Sequence, residues 1–216
     1  MLAIHAASPT ASRAFRATLI SSPKAAAQGD KIHVARETEI FGQEAPARRI
    51  YRIVHGAVRT VRLLSDGRRQ IGAFYFPGDW IGLEAGPVHS FGAEAVSDVA
   101  LVAYDRVATL SLGKHPELGA ELVAAMVKEL SRANDHRMLL GRKTAEERVA
   151  TFLLDLDDRG VQDLPMRRQD IADYLGLTIE TVSRMLTQLQ HAGVVRICNT
   201  RHLDVLDREE LELLAA

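Results

Sequence analysis

Residues 166–194, MRRQDIADYLGLTIETVSRMLTQLQHAGV, decide the fold, because they have the pattern of two short helices joined by a tight turn. In the first helix, Ile171, Tyr174 and Leu175 have the spacing of one apolar face. Gly176 is expected to end this helix, since glycine adopts a left-handed backbone at no steric cost. The stretch therefore predicts a helix–turn–helix.

The second helix of the pair is predicted to begin after Thr178, a favourable N-cap residue, and to stop at Gly193. Its apolar spacing predicts a buried side made of Val182, Met185, Leu186 and Leu189. The polar side is left outside and consists of Glu180, Thr181, Ser183, Arg184, Thr187 and Gln188. A helix that exposes Glu, Ser and Arg near its N-terminus suits the DNA major groove, which is about 12 Å wide. An ordinary helical hairpin with a solvated polar face is the alternative.

The same residues resemble a known family. The run DIADYLGLTIETVSRMLTQLQHAGVV is similar to the helix–turn–helix of the CRP/FNR family of bacterial transcription regulators. Glu180, Ser183 and Arg184 match the pattern of the FNR branch, which reads a TTGAT half-site and its inverted repeat. The CRP branch has Arg in place of Ile179 and Gly in place of Ser183, so the chain departs from that branch.

Short alternating apolar runs at residues 49–54, 57–64, 69–76 and 94–104 predict strands, with a hairpin turn at Asp66 and Gly67. Val58 and Val61 are out of register with simple alternation. Many short strands at this spacing indicate a small β-sandwich or barrel. The run RIYRIVHGAVRTVRLLSDGRRQIGAFYFPGDWIGLE resembles the β-roll sensor domain of the same family, and is most similar to its FixK-type members.

A long helix is predicted over residues 116–140, with a coiled-coil seam on one side. The expected dimer-interface residues are Val123, Met126, Leu130, Ala133 and Leu140, and Arg137 interrupts the seam where the helices diverge. A second apolar face at Leu118, Leu122 and Val127 favours packing on the β-roll as well. A helix sunk in a monomer core is the alternative. Gly141, Arg142 and Lys143 are expected to interrupt the helix.

The C-terminal region is predicted to start at a capping box formed by Thr144 and Glu147, with a helix to about Asp158. A wing hairpin around Asn199 and Thr200 and a final short helix should follow the helix–turn–helix. The predicted class is α+β: an N-terminal, jelly-roll-like β-roll, a dimerisation helix and a winged helix–turn–helix. The predicted division is a leader at 1–29, the β-roll at 30–115, the helix at 116–140 and the DNA-binding domain at 141–216.

The composition is that of an ordinary globular chain of 216 residues with a formal net charge of -1. No global positive field indicates nucleic acid, so a local basic face must supply it. No apolar run approaches the ~20 residues of a transmembrane helix. The leader is rich in Ala and Ser, like a transit peptide, although a disordered segment or surface helix is preferred. The single Cys198 excludes an intrachain disulfide and fits a reducing compartment, so a cytoplasmic location is expected.

The resemblance implies a homodimer on a palindromic site, with double-stranded DNA and RNA polymerase as partners and activation as the outcome. It assigns base reading to Glu180, Ser183 and Arg184. It assigns phosphate contacts to Arg168 and Thr181, with Arg167 and Arg201 as weaker candidates. Phosphate contacts position such a protein, whereas base contacts specify its sequence.

No effector motif is evident in the β-roll. The run GLEAGPVHSFGAEA lacks the adjacent Gly-Glu pair and the Arg-Ser pair with which CRP binds cyclic AMP, since His89 precedes Ser90. The four cysteines that hold the iron–sulfur cluster of FNR are absent. These gaps agree with FixK-type members, which are often effector-independent. A regulator gated by haem or another ligand is the alternative, with axial candidates His33, His55, His89, His115 and His136.

No cofactor, metal ligand or catalytic residue is assigned. A cupin-like metal enzyme is a remote alternative, because His89 and Glu94 do not form the required ligand pattern. Cys198 on the wing is a candidate redox site if its thiol is reactive near DNA. The alternative for Cys198 is a buried strand residue.

Overall fold

The computed structural model describes residues 29–110, 116–198 and 202–216. The predicted leader, apart from Gly29, lies outside the described residues, as do His115 and Arg201. The N-terminal half contains the strands β1 (Asp30–Val34), β2 (Glu39–Phe41), β3 (Arg49–His55), β4 (Val58–Leu63), β5 (Arg69–Tyr75), β6 (Trp80–Ile81), β7 (Gly92–Ala95) and β8 (Val99–Asp105).

Helices make up most of the remainder, with one small hairpin near the end. In chain order the elements are α1 (Arg106–Leu110), α2 (Pro116–Arg142), α3 (Ala145–Asp158), α4 (Arg168–Leu175), α5 (Ile179–His191), β9 (Val195–Ile197), β10 (Leu203–Val205) and α6 (Arg208–Ala215). This confirms the predicted α+β class. The described helices include none with both the length and the apolar character needed to cross a bilayer.

Two antiparallel four-stranded sheets form the β-roll, one in the order β1-β8-β3-β6 and the other in the order β2-β7-β4-β5. The predicted hairpin turn joins β4 to β5. Gly67 there has a φ of 82°, and its N–H donates to the Leu64 carbonyl at 2.9 Å. The left-handed backbone at this position is the conformation that a tight hairpin turn requires.

The first four residues of strand β4 contribute to two cores, which explains the irregular spacing of Val58 and Val61. Val58 belongs to the interior of the β-roll, together with Ile53 and Leu101. Val61 belongs instead to the core that the β-roll shares with the C-terminal helices. Because alternate residues of a strand point to opposite faces, an odd spacing places the two valines in two different cores.

The C-terminal helices pack against the outer face of the β4–β5 hairpin. The ring of Phe74 on β5 lies 5.4 Å from Tyr174 on α4 and 6.1 Å from Phe152 on α3, centroid to centroid. His136 on α2 stacks on the same tyrosine at 4.2 Å. Burial raises the pKa of Tyr174 to about 12, with Asp155 adding to the effect. One aromatic cluster therefore joins the β-roll, the long helix and the helix–turn–helix.

Helix α2 has two different sides. Leu122 is buried against Ile50 and Trp80 of the β-roll. The opposite side is apolar and exposed within the single chain, with Leu130 65% and Val127 64% accessible to solvent. The predicted second apolar face is thus present at Leu122, whereas Val127 lies with the exposed residues.

The predicted interruption at Gly141, Arg142 and Lys143 is found at the last of these residues, because α2 continues through Arg142. An isolated glycine costs about 1 kcal/mol relative to alanine in a helix interior, which a long packed helix tolerates. The break comes at Lys143 and Thr144. Thr144 caps α3 in the predicted capping box, accepting from the Glu147 N–H at 3.3 Å.

Candidate nucleic-acid interface

The predicted helix–turn–helix is formed by α4 and α5. Gly176 ends α4 with a φ of 62°, and the Thr178 hydroxyl caps α5 by accepting from the Thr181 N–H at 3.2 Å. The apolar side of α5 is buried as predicted, through Val182, Met185, Leu186 and Leu189. The cap sets where α5 begins, and the buried apolar side sets how the helix is rotated about its axis. Together they determine that the opposite, polar side faces solvent.

The residues predicted to read bases lie on that polar side. Glu180 and Arg184 are exposed, and Ser183 and Thr181 are half-buried. Arg168, at the start of α4, donates from Nη1 to the Ser183 hydroxyl at 3.3 Å. The structure therefore brings together a predicted phosphate contact and a predicted base contact. Glu180 and Arg184 remain one helical turn apart on an open surface.

Arg167 is placed differently from Arg168. Its guanidinium lies 3.6 Å from Glu37 of the β-roll, and its backbone N–H donates to the Asp170 carboxylate at 3.1 Å. The side chain is still 64% exposed, so the contact with Glu37 is a weak surface pair. The fourth phosphate candidate, Arg201, lies outside the described residues.

A buried charge cluster between the two halves of the molecule was missed from the sequence. Asp170 on α4 is only 1% exposed and accepts from Arg59 at 2.9 Å and from Arg69 at 2.7 Å. Arg59 also lies 2.7 Å from Glu94 and 3.1 Å from Glu37. Burial works to lower the pKa of Arg59, but these carboxylates outweigh it and raise that pKa above its ordinary value.

Arg69 extends the cluster along α4. Its guanidinium lies 2.6 Å from Asp173, which also accepts from Gln169 at 2.7 Å. Burial alone would lower the pKa of Arg69, whereas its hydrogen bonds to Asp173 and Asp170 raise it overall. The acidic residues of α4 are therefore neutralised by the β-roll. The sequence offered one signal, an arginine within the apolar strand β4, but not the partner of that arginine.

The wing is a hairpin of β9 and β10 in which Arg196 is opposite Asp204. Their side chains form an ion pair, with Arg196 Nη2 2.7 Å from Asp204 Oδ2. Cys198 follows the end of β9 and is exposed. Its interpretation as a buried strand residue is therefore wrong, because β9 ends at Ile197 before the chain could turn the thiol inward.

In the part of the β-roll that was compared with the cyclic AMP site of CRP, Ser90 and His89 both lie beside the Glu84 carboxylate. Ser90 donates to Glu84 at 3.1 Å, and Nδ1 of the buried His89 lies 3.7 Å from the same carboxylate. His89 also stacks on Phe41 at 3.9 Å, and burial lowers its pKa. Arg106 donates to the carbonyls of loop residues, at 3.1 Å for Ala47.

The histidines considered as haem ligands are scattered within the described residues. His33 and His55 are exposed on β1 and β3, and His89 lies inside the β-roll. His136 stacks on Tyr174 beside a cleft of about 740 Å³ that lies between the β-roll, α2 and α3.

The predicted dimer-interface residues of α2 are found along one exposed side of that helix, at Val123, Met126, Leu130 and Ala133, with Leu140 half-buried.

Family models match two parts of the chain: a Crp-like helix-turn-helix domain over residues 147–214 and a cyclic nucleotide-binding domain over residues 31–115. The nitrogen fixation regulation protein FixK of Azorhizobium caulinodans is 48% identical over 199 residues, which cover 88% of this chain and 80% of that protein. FixK of Rhizobium meliloti is 44% identical over 180 residues, 82% of each chain. The solved structure of FixK2 from Bradyrhizobium japonicum matches with a TM-score of 0.82 and 46% identity, covering 87% of this chain and 98% of that one.

Proposed function

Because the chain belongs to the CRP/FNR family of transcription regulators and is of the FixK type, we propose that it binds a TTGAT-N4-ATCAA-like palindrome as a homodimer and activates transcription. Its membership of this family makes it a DNA-binding regulator and not an enzyme. The observation that carries the finer proposal is the solvent-exposed pair Glu180 and Arg184 on the helix α5, whose other side is buried.

Base reading is assigned to Glu180, Ser183 and Arg184. An exposed Arg donates two hydrogen bonds to guanine O6 and N7, and a carboxylate accepts from a cytosine amine. Ser183 is hydrogen-bonded to Arg168, so its base contact would lie next to the contact of Arg168 with the DNA phosphate backbone. These are the side-chain chemistries that a site containing G·C pairs within A·T-rich half-sites requires.

Phosphate contacts are assigned to Arg168 and Thr181, with Arg167 and Arg201 in weaker roles. Arg168 is the first residue of α4, and Thr181 lies between Glu180 and Ser183 in α5. The acidic residues of α4 point away from this side, toward Arg59 and Arg69. The local field at the exposed side of the hairpin is therefore more positive than the net charge of the chain suggests.

The homodimer is supported by the exposed apolar side of α2. Val123, Met126 and Leu130 follow the spacing of a coiled-coil seam and are 51%, 41% and 65% exposed in the single chain. A contiguous apolar row of this kind is costly in water and suits a second copy of the same helix. A two-fold pair would place its recognition helices about 34 Å apart, on successive turns of one duplex.

The proposed domain division is a leader at 1–29, a sensor-like β-roll at 30–115, a dimerisation helix at 116–140 and a winged helix–turn–helix at 141–216. RNA polymerase is the proposed partner in activation. We further propose that no small effector is required, since His89 and not an arginine precedes Ser90, so a cyclic phosphate would lack its bidentate partner, and Ser90 donates to Glu84 instead.

Gating by an unidentified ligand is the second candidate. The cleft between the β-roll and α2 favours it, because its lining includes Arg132 and His136 beside aromatic rings. A ligand there would contact the helix that carries the proposed dimer seam. Titrating candidate ligands against DNA affinity distinguishes the two, since an effector-free regulator binds fully without them.

The test uses the full chain purified without additives. Fluorescence anisotropy should show specific binding to a TTGAT-N4-ATCAA duplex over a scrambled duplex, and sedimentation should show a dimer. Leu130→Asp should dissociate the dimer and weaken binding, whereas the matched control Leu213→Asp, on the exposed side of α6, should not. Equal affinity for the scrambled duplex would refute the palindrome, and a monomer that binds fully would refute the dimer.

A further inference from the structure

Three side chains with metal-binding atoms meet at the end of the wing hairpin. One ligand atom each from Cys198, His202 and Asp204 lies within 4.8 Å of the other two. The Cys198 Sγ is 3.8 Å from Asp204 Oδ2, and His202 Nε2 is 3.1 Å from Asp204 Oδ1. This group of three ligands cannot be recognised from Cys198 alone, because the residues come together only when the β9–β10 hairpin has formed.

The backbone of the hairpin holds these residues in place. Ile197 and Leu203 are Cα partners across the β9–β10 ladder, and the Cys198 N–H donates to the His202 carbonyl at 3.1 Å. The returning strand is also tied to the loop before α4, since the Leu203 N–H donates to Gln162 at 3.0 Å. The approach of the three ligands is therefore set by main-chain hydrogen bonds as well as by side-chain rotamers.

Asp163 orients the histidine. Its carboxylate lies 2.7 Å from His202 Nδ1, on the side of the ring opposite Asp204. Metal-binding histidines commonly donate their second ring N–H to a carboxylate, which directs the other nitrogen toward the ion and makes it more basic. Asp163 stands in this supporting position, and Arg196 holds Asp204 from its other side.

The ligand types and distances match one class of ion. Zinc-like bonds of about 2.0–2.3 Å in tetrahedral geometry imply ligand atoms about 3.3–3.8 Å apart. Two distances at Asp204 are close to this range: its Oδ2 lies 3.8 Å from the Cys198 Sγ, and its Oδ1 lies 3.1 Å from the His202 Nε2. Sulfur and imidazole ligands favour zinc-class ions over magnesium or calcium, which prefer oxygen.

We propose that the wing binds one thiophilic divalent cation of the zinc class through Cys198, His202 and Asp204, with Asp163 positioning His202. Three protein ligands leave the fourth position to water. Binding requires that the Cys198 thiol lose its proton to solvent, since the thiolate is the ligand. The ion would join the two strand ends of the wing next to the proposed DNA surface.

The test is a titration of the full chain with Co²⁺, a spectroscopic substitute for Zn²⁺, after treatment with a chelator. We expect one Co²⁺ per chain with a thiolate-to-cobalt charge-transfer band, and we expect Zn²⁺ to displace it. Cys198→Ser should abolish the band, and Asp163→Asn should weaken binding about 10–100-fold. His202→Gln and Asp204→Asn should each weaken it at least as much.

The control is His33→Gln, an exposed histidine on β1 outside this cluster, which should leave the titration unchanged. Far-UV circular dichroism of each variant confirms that it is folded. No charge-transfer band in the parent chain overturns the proposal. A band that persists in Cys198→Ser, or an unchanged affinity in His202→Gln, overturns the assigned ligands.

Discussion

The two helices of the helix–turn–helix use their polar residues in opposite ways. On α4, Asp170 and Asp173 are held by arginines of the β-roll, and Asp170 is 1% exposed. On α5, Glu180 and Arg184 remain open to solvent. A charged residue in this hairpin can thus be part of the architecture or part of a binding surface. Its partner in the folded chain decides which.

The ion pairs of α4 determine how the helix–turn–helix is oriented on the β-roll. Arg59 lies within hydrogen-bonding distance of three carboxylates, from Glu37, Glu94 and Asp170. A buried charge network of this kind adds little net stability over an apolar contact, but removing one member leaves the others uncompensated. The intact cluster therefore serves chiefly to orient α4 relative to the β-roll. Removing one of its residues should nevertheless lower the stability of the fold, because the remaining buried charges lose a partner.

The largest effect is expected for Arg59→Met. Removing this guanidinium leaves Glu94 without it and Asp170 with Arg69 as its remaining cation, so we expect a loss of about 3 kcal/mol in the free energy of unfolding, the lower end for a broken buried ion pair. Urea unfolding at one fixed protein concentration measures this loss, since the apparent stability of the proposed dimer would depend on concentration. The matched control is Arg68→Met in the exposed β4–β5 turn, which should cost under about 1 kcal/mol. Equal losses in both variants would contradict the structural role of Arg59.

Arg184→Ala should have the next largest effect, on recognition and not on stability. We expect a loss of about 1–3 kcal/mol in discrimination at the guanine that Arg184 is proposed to contact. Binding to duplexes mutated at each position measures this, while urea unfolding should be unchanged because Arg184 is exposed. Gln190→Ala, on the exposed C-terminal part of α5, is the control. Unchanged discrimination would remove Arg184 from base reading.

Thr178→Ala tests the turn that joins the two helices. Loss of the hydroxyl leaves the Thr181 N–H without its cap, and we expect a cost of about 1 kcal/mol in unfolding free energy. Thr178→Ser retains the capping oxygen and should cost less. If both variants were equally unstable, the cap would not be the cause.

Arg168→Ala should weaken binding to all sequences alike. Loss of one phosphate contact should reduce the salt slope of DNA affinity by about 1 while leaving base preference intact. Affinities on specific and scrambled duplexes across a salt series measure this. A selective loss on the specific site would instead show that Arg168 acts through its hydrogen bond to Ser183.

The smallest effect is a pH dependence from His136, which stacks on Tyr174 of α4. Burial lowers the pKa of His136 below its ordinary value of 6.5, so the unfolded chain takes up a proton more readily than the folded one. Stability should therefore fall as pH drops below about 6.5 and level off below the folded pKa. Unfolding between pH 5 and 7 should show a shallower fall in His136→Phe than in the parent. Parallel curves would exclude His136 as the source.

Local patterns predicted much of this molecule. Gly176 defined the end of α4, and Thr178 with the apolar residues beginning at Val182 defined the start and the buried side of α5. Thr144 and Glu147 defined the start of α3. The interruption between α2 and α3 lies at Lys143 and not already at Gly141, because packing along α2 opposes the weak local preference of one glycine.

Only the tertiary structure determined which partners the remaining charged residues have in the folded chain. Asp170 and Arg59 are 111 positions apart, and Asp163 and His202 are 39 apart. Such pairs form only when separately folded segments dock, and no periodicity within one segment encodes them. The sequence by itself determined the helices, their caps and the side of α5 that faces outward, because those depend on neighbours within a few residues. The packing of distant segments against one another decided which acidic residues are buried and which side chains meet on the wing. That packing brings charges that are far apart in the sequence into the same buried, low-dielectric interior or to the end of the same hairpin.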